Sequence, residues 1–565
     1  MAASTVPADA LVLQRLYHWE STAPDKVALT QPLGGGQVRD YTWRQVMDES
    51  RRMATYLQSL GLPKGSCIAL IAKNTAHWLM SDYAIWLAGL VSVPLYPTLA
   101  AGTIRQILEH SEAKLLFVGK LDGWAGMKPG IPAGLACIAH PLAPEDAKKS
   151  YPLWEDIVAK TAPLQGNPVR DGDELGTIMY TSGTTGAPKG VMHSFNTFAW
   201  AIRSGLRRMD SINQDSRILS YLPLSHVAER LLVEHGQLAT GMHVYFADSL
   251  DSFVADLQRA RPTVFFSVPR LWVKFQQGVS QKMPPAKLAR LLKIPILRGI
   301  VRKKVLTALG LQDCVIAAGG AAPMPPDLLR WYGSLGLDLV EAYGMTENCG
   351  LSHATLPGKP RPGTVGPAYD GVQCRLDPVS SEVQIMAGCL MLGYYKEPQL
   401  TRDAHTADGW LKTGDKGAID AEGNLKITGR VKDLFKTGKG KYVAPAPIED
   451  KLVMNPAVEA CCVTGANLGQ PLAMLMLNPD ATKKAGSAEG RAEIEASLAA
   501  QLKTINESLD PHEQLDCVVI TKQAWTVEND MITPTLKVKR NRIEELFASH
   551  YEQWVGSRKK VVWEA

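Results

Sequence analysis

The chain has 565 residues, and because a single hydrophobic core stops growing near ~250–300 residues, two or more domains are expected. Its 45% apolar and 21% charged residues are ordinary for a soluble globular protein, and a net charge of +5 over this length gives no reason to expect nucleic-acid binding. Nine irregularly spaced cysteines, none in a C-x-x-C pair, point to neither a disulfide framework nor a zinc site and suit a reducing cytosol.

Met1 to Leu13 has no basic start and no apolar run, so no signal peptide is expected. Val46, Ser50, Met53, Leu57 and Leu60 recur as on one helix face, and Leu62-Pro63-Lys64-Gly65 makes a turn. Cys67 to Ile71 reads as a buried strand, Ala84 to Leu90 as helix, and Leu115 to Val118 as strand. The apolar run Ala84 to Val91 falls far short of the ~18–20 residues of a spanning helix.

Leu175 to Tyr180 reads as a short strand that delivers Thr181-Ser182-Gly183-Thr184-Thr185-Gly186-Ala187-Pro188-Lys189-Gly190. Glycines let a backbone approach a ligand closely, successive N–H groups form an anion-holding concavity, and hydroxyls and an ammonium add donors. The loop suits a polyphosphate. It is not a Walker loop, because Pro188 stands where glycine is required and Gly190 follows Lys189.

Val264 to Val268 is another expected strand. Residues 275–312 then carry eight basic residues and no acidic one, interleaved with leucines and isoleucines. Three uses stay open for 278–310: a helix on an anionic membrane, a solvated basic face, or attraction of coenzyme A phosphates. Strands alternating with helices argue for α/β with largely parallel sheets, which bind ligands at the carboxyl ends of strands. The loops after Tyr180, Ala318 and Val340 are placed that way.

From Gly363 to Gly429 short apolar runs alternate with Gly and Asp turns, a small and mostly antiparallel β region. After Asp433 come an expected helix at Glu449 to Met454, a strand at Ala460 to Thr464, a helix from about Ala492 to Ser508 and a strand at Cys517 to Ile520.

Four further strings give the loop its context: Tyr343-Gly344-Met345-Thr346-Glu347, then Trp410-Leu411-Lys412-Thr413-Gly414-Asp415, then Gly429-Arg430-Val431-Lys432-Asp433, then Thr533-Pro534-Thr535-Leu536-Lys537-Val538-Lys539-Arg540. In this order, from about residue 15 to about 550, the chain resembles the adenylate-forming (AMP-binding) superfamily of acyl-CoA synthetases, luciferases and peptide-synthetase adenylation domains. Tyr221-Leu222-Pro223-Leu224-Ser225-His226-Val227-Ala228-Glu229-Arg230 and Leu434 to Pro445 are similar to its long-chain fatty acyl-CoA synthetase branch.

The resemblance implies an α/β fold: a large N-terminal domain (1–432) of layered α/β sheets with a small β-barrel-like region at about 363–429. A small mobile α+β C-terminal domain (433–565) follows a hinge at Lys432. It further implies that Thr181, Ser182, Gly183, Thr184, Thr185 and Lys189 hold the β- and γ-phosphates of ATP. Thr346 would donate to the α-phosphate, and Glu347 would ligate Mg²⁺. Tyr343 and Gly344, with Gly320 and Ala321, would flank adenine. Asp415 would accept from the ribose hydroxyls beside Arg430. His226 is either near the acyl–phosphate junction or a satisfied structural histidine.

Lys537 is the expected catalytic lysine, with Lys539 its rival; Thr535-Leu536 replaces the Ser-Gly that commonly precedes it, as in a similar Thr-Pro-Thr string of the long-chain branch. The implied reaction activates a fatty acid with ATP and passes the acyl group to coenzyme A. A ligase that loads a carrier protein, a ligase for aromatic or steroid acids, and a non-catalytic acyl or nucleotide sensor remain alternatives. The sensor would be favoured by loss of Lys537, Glu347 or Asp415, and all three are present. Chain-length determinants are expected around Phe195 to Trp200 and Ser225 to Leu232.

Overall fold

Helix Ala76–Leu87 has no polar face; all of its residues are buried, because it packs against strands of two different sheets. A helix that is largely apolar on every side belongs in a core, and here its one carboxylate, Asp82, is buried against Arg230. Thr75 caps it by accepting from the Trp78 N–H, so it starts well before the expected Ala84 and stops at Leu87, short of Gly89 with φ +84°. The computed structural model describes residues 6–182, 188–533 and 537–564.

One sheet has seven strands, in the order Gly393–Tyr394, Pro188–Ser194, Leu175–Ser182, Val91–Leu95, Cys67–Ile71, Leu115–Val118, Ala136–Ala139. The last five run parallel. The phosphate loop thus leaves the carboxyl end of a parallel strand, as expected, but returns as an antiparallel hairpin with Thr181 opposite Lys189.

The second sheet has eight strands, in the order His353–Ala354, Leu339–Tyr343, Ile316–Gly320, Val264–Ser267, Arg217–Ser220, His243–Phe246, Val27–Gly34, Gln37–Thr42. Its inner strands are parallel and both edges antiparallel. Side chains alternate between its faces. Phe265, Ala317 and Leu339 join a core under helices Pro269–Lys282, Pro295–Ala308 and Pro326–Ser334. Phe266, Ala318 and Val340 face helix Phe195–Leu206 on the other side.

The β region is a four-stranded antiparallel sheet ordered Gln373–Leu376, Glu382–Met386, Leu411–Ile419, Leu425–Arg430. Gly393–Tyr394 lies within the same span of sequence but joins the seven-stranded sheet instead.

From Phe435 onward a separate core forms. Its sheet, ordered Val458–Thr464, Leu472–Leu477, Val518–Ile520, Val561–Trp563, carries helices Pro445–Leu452 and Ala488–Glu507 on one face and Arg540–Phe547 and Tyr551–Gly556 on the other. Among the described residues no helix is long and apolar enough to cross a membrane.

Candidate active site

A cavity of about 1570 Å³ opens between the carboxyl ends of the strands and the small domain, and its lining comes from both. Its polar head brings together residues far apart in sequence. Strand Leu339–Tyr343 ends at the cavity, and the Tyr343 hydroxyl donates to Oδ2 of Asp415 across 2.7 Å. Burial keeps that phenol protonated, raising its pKa well above the ordinary value. Asp415 and Arg430 are direct cross-strand partners, which places Arg430 Nε 2.9 Å from Oδ1 of Asp415. Each carboxylate oxygen keeps a further lone pair for a ligand hydroxyl.

Two backbone features make room for a flat ligand beside Tyr343. A Cβ on Gly344 would sit 2.3 Å from the Gly350 carbonyl, so only glycine fits there. Ala321 holds φ +66°, a left-handed conformation that costs energy without glycine and clusters at functional sites. Gly320 lies in a strand and not in a loop, with its own Cβ position 2.7 Å from the Ala342 carbonyl oxygen.

Thr346 and Glu347 open a single 3₁₀ turn, Thr346–Asn348. Glu347 Oε1 accepts from the Tyr394 hydroxyl at 2.8 Å. Its other oxygen makes no hydrogen bond among the described residues, which leaves it free to take a hard cation shared with phosphate oxygens. Lys189 Nζ lies 5.6 Å from the centre of the Tyr394 ring, so that tyrosine touches both the expected cation ligand and the expected phosphate lysine. Thr181 also lines the cavity. The Ser182 side chain, Gly183, Thr184 and Thr185 lie outside the described residues.

The Thr346 carbonyl is held by His193, whose Nε2–H donates to it at 2.7 Å. Burial pushes His193 down to about 4, so it is neutral at pH 7, with Nδ1 left to accept from the Cys349 thiol at 3.2 Å. Neither His193 nor Tyr394 figures among the residues singled out from sequence. The missed signal was a histidine in the strand Pro188–Ser194, four residues after Lys189.

His226 caps a short turn by accepting from the Ala228 N–H at 3.3 Å while its ring lines the cavity. Burial first, and the Lys537 charge second, push it down to about 4. It is therefore a neutral group on the wall at pH 7, structural and cavity-facing at once.

Lys537 is open to solvent in the cavity, yet the walls around it and the Arg430 charge lower its pKa, against the opposing pull of Asp415 and Glu347. No carboxylate pairs with its ammonium among the described residues, whereas Lys539 is tied to Asp530. Geometry thus separates the two rival lysines: one is free to meet a ligand and one is engaged.

The cavity continues as an apolar arm between the face of the eight-stranded sheet and helix Phe195–Leu206. Ala201, Ile202, Gly205 and Leu206 line it from the helix, one turn beyond the expected Phe195 to Trp200. Val227, Leu231 and Leu232 line it within the expected 225–232 span. Its floor runs from Ala318 back to Ile316 and Val264 at the amino ends of their strands. From Gly320 to Ile316 that is about 13 Å, at roughly 3.3 Å per residue. Behind the arm Arg230 is fully buried on a π-helical turn, Arg230–His235, paired with Asp82 and at 2.9 Å with Glu234, its guanidinium 5.9 Å from the Phe198 ring of the arm's helix.

At the domain boundary Arg270 pairs with Glu459, and Glu341 lies near Asp450. Burial pushes both Glu341 and Asp450 up to about 7; Asp450 adds to the shift of Glu341, and Glu449 to that of Asp450.

Comparison with known proteins agrees with this architecture. Residues 16–395 match the family described as AMP-binding enzyme. The chain is 29% identical to the long-chain-fatty-acid–CoA ligase FadD15 of Mycobacterium bovis, covering 96% of each. It is 27% identical to the peroxisomal long chain acyl-CoA synthetase 7 of Arabidopsis thaliana, over 94% of this chain and 84% of that one. Among solved structures, the adenylation domain of a carboxylate reductase from Mycobacterium chelonae superposes with a TM-score of 0.79 at 22% identity, over 97% of this chain and 91% of that one.

Proposed function

Because the chain belongs to the AMP-binding enzyme family, we propose that it is an AMP-forming acyl-CoA synthetase that activates a long-chain fatty acid. The observation that carries this reading is the shape of the cavity: an apolar arm opening on a head that bears Lys537, Glu347, Asp415 and Arg430. Its curated relatives carry long-chain acyl-CoA ligase names, which supports the same reading.

In the first step the acid's carboxylate attacks the α-phosphate of ATP, giving acyl-AMP and pyrophosphate. A carboxylate is already ionised at pH 7, so no general base is needed. What is needed is alignment and neutralisation of anions, and the head supplies these. Tyr343, Gly344, Gly320 and Ala321 would flank the adenine, Asp415 would accept from the ribose and Arg430 would orient Asp415. Thr181, Ser182, Gly183, Thr184, Thr185 and Lys189 would hold the outer phosphates, and Thr346 would donate to the α-phosphate. Glu347, through its free oxygen, would hold Mg²⁺, which draws charge off the phosphates. Lys537 would sit between the two reacting anions; at ~4 Å and an effective dielectric near 20, each such contact is of order 4 kcal/mol before desolvation. His226, being neutral, would line the junction without adding repulsion to Lys537.

In the second step the thiol of coenzyme A attacks the acyl-AMP carbonyl, forming the thioester and releasing AMP. We infer that the small domain (433–565) swings about Lys432, withdraws Lys537 and opens a path for the thiol, which requires the Arg270–Glu459 pair to part. Long-chain acids partition into bilayers, and we infer that the enzyme draws its acid from a membrane surface.

The deciding experiment measures pyrophosphate release and CoA-thioester formation across a chain-length series of acids. Thioester with long chains, lost in Lys537→Ala, supports the proposal. Pyrophosphate without thioester indicates a carrier-protein ligase, activity on aromatic or steroid acids alone a different substrate class, and nucleotide binding without turnover a sensor.

A further inference from the structure

Helices Pro285–Lys293 and Pro295–Ala308 form a hairpin joined at Ile294. Leu288, Val301 and Val305 turn inward and are buried. That satisfies the usual need of a surface helix for one apolar face. The hairpin nevertheless carries apolar chains on its outside as well. Ile294, Ile296 and Ile300 are 46%, 82% and 62% exposed. Ile296 and Ile300 stand one turn apart on the same face. Single exposed apolar residues are ordinary, but three large ones within seven residues make a patch.

The charges around this patch are equally one-sided. Lys282, Lys287, Arg290, Lys293, Arg298, Arg302, Lys303 and Lys304 occur with no acidic residue between 275 and 312. Arg302 Nε donates to the Ser334 carbonyl at 3.0 Å. Among the described residues the side chains of the other seven make no ion pair or hydrogen bond, whereas cations elsewhere on the chain are commonly paired. Crowded like charges repel one another unless an anionic surface neutralises them.

A merely solvated face accounts for the cations and leaves the isoleucines unexplained. A nucleic acid likewise takes up the cations and gains nothing from isoleucines. Cations interleaved with exposed aliphatic chains on a helix match an anionic bilayer, whose phosphates meet the former and whose acyl boundary takes the latter.

We propose that the hairpin Pro285–Ala308 is the face by which this protein docks on anionic membranes, with Ile294, Ile296 and Ile300 entering the interface. That the docked enzyme draws its acid from the bilayer rests on the fatty-acid reading above; the docking itself does not.

The test is flotation of the full chain with vesicles of phosphatidylcholine alone or rich in phosphatidylglycerol. Binding is expected to the anionic vesicles only, and to fall as salt is raised. The double variant Ile296→Ser/Ile300→Ser should weaken it about tenfold or more, and Lys287→Gln/Arg290→Gln/Lys293→Gln should weaken it similarly, each removing one of the two contributions. Both variants should keep wild-type pyrophosphate release with a short, water-soluble acid, which shows that they are folded. No flotation, or flotation that both variants leave unchanged, overturns the proposal. So does tight binding of duplex DNA without vesicle binding. Failure here alongside intact thioester formation leaves the enzymatic reading standing; flotation without any ligase activity removes that reading and keeps the docking face.

Discussion

The Tyr394 hydroxyl donates to Oε1 of Glu347 across 2.8 Å, although Tyr394 sits in an edge strand of the seven-stranded sheet and Glu347, 47 positions away, in a turn between two strands of the eight-stranded sheet. Burial first, and the Glu347 charge second, raise the phenol's pKa far above its ordinary value, so it remains a donor at any working pH. The bond fixes one oxygen of Glu347, a residue that lines the cavity. Tyr394→Phe removes one hydrogen bond to a charged group, worth about 1.5–3 kcal/mol. The expected outcome is a rise of roughly tenfold or more in the KM for Mg·ATP with a smaller change in the KM for the acid. Equal changes in both would show that Tyr394 acts only on general folding.

Lys537 and Lys539 should part company when each is replaced. Lys537→Ala is expected to lower acyl-adenylate formation about 10²–10³-fold, as for loss of one preorganised electrostatic donor. Thioester formation from supplied acyl-AMP should persist, because the proposed swing of the small domain would withdraw the lysine in that step. Lys539→Ala breaks only the link to Asp530 and should change adenylation by less than about threefold. Isotope exchange between pyrophosphate and ATP measures both, and a larger loss in the Lys539 variant would reverse the assignment.

The apolar arm ends at Ile212, Val264 and Ile316, which also line a second cavity of about 210 Å³. Ile212→Ala should thin this wall and move the preferred acid toward longer chains. Gly205→Phe should do the opposite. A Cβ at Gly205 meets only Leu351 Cδ1, at an ordinary 3.5 Å, so the helix tolerates it while the ring fills the arm. Relative kcat/KM over the chain-length series reports both, and an unchanged profile in both variants would place the acyl chain elsewhere.

Domain closure should weaken with rising pH. Glu341 and Asp450 hold protons to about 7 with the small domain placed as it is here, whereas solvated carboxyls titrate near ~4. Their support for closure is therefore complete below ~4 and fades as pH rises through about 7, when both ionise at one boundary. Energy transfer between dyes on the two domains should drop from about pH 6 to about 8, and Asp450→Asn should flatten that drop. A variant that keeps the full pH response would exclude this pair as its source.

Strand positions were legible where burial on both faces made a continuous run of large apolar side chains, and not where small residues replaced them, as in Ala136–Ala139 and Ile316–Gly320. Cys67–Ile71 and Leu115–Val118 match their expected limits, and Val264–Ser267 differs by one residue. Helix Ala76–Leu87 starts earlier than expected because a helix buried all round shows no amphipathic period, and its Thr75 cap lies nine residues before the apolar run that begins at Ala84. Tyr394 escaped notice because a two-residue strand has no pattern of its own.

The sequence by itself determined the chemistry on offer: a hydroxyl- and glycine-rich loop, the order of the motifs, one candidate carboxylate for a cation and two candidate lysines. It did so because such loops depend on residue types at short spacing, which local strings preserve. Only the tertiary structure decided which groups meet. Pairing across antiparallel strands set Arg430 opposite Asp415, sheet exchange carried Tyr394 to Glu347, and the Asp530 contact told Lys539 from Lys537. The arm, too, exists only in three dimensions, since its walls are alternate residues of separate strands facing a helix that precedes them in the chain.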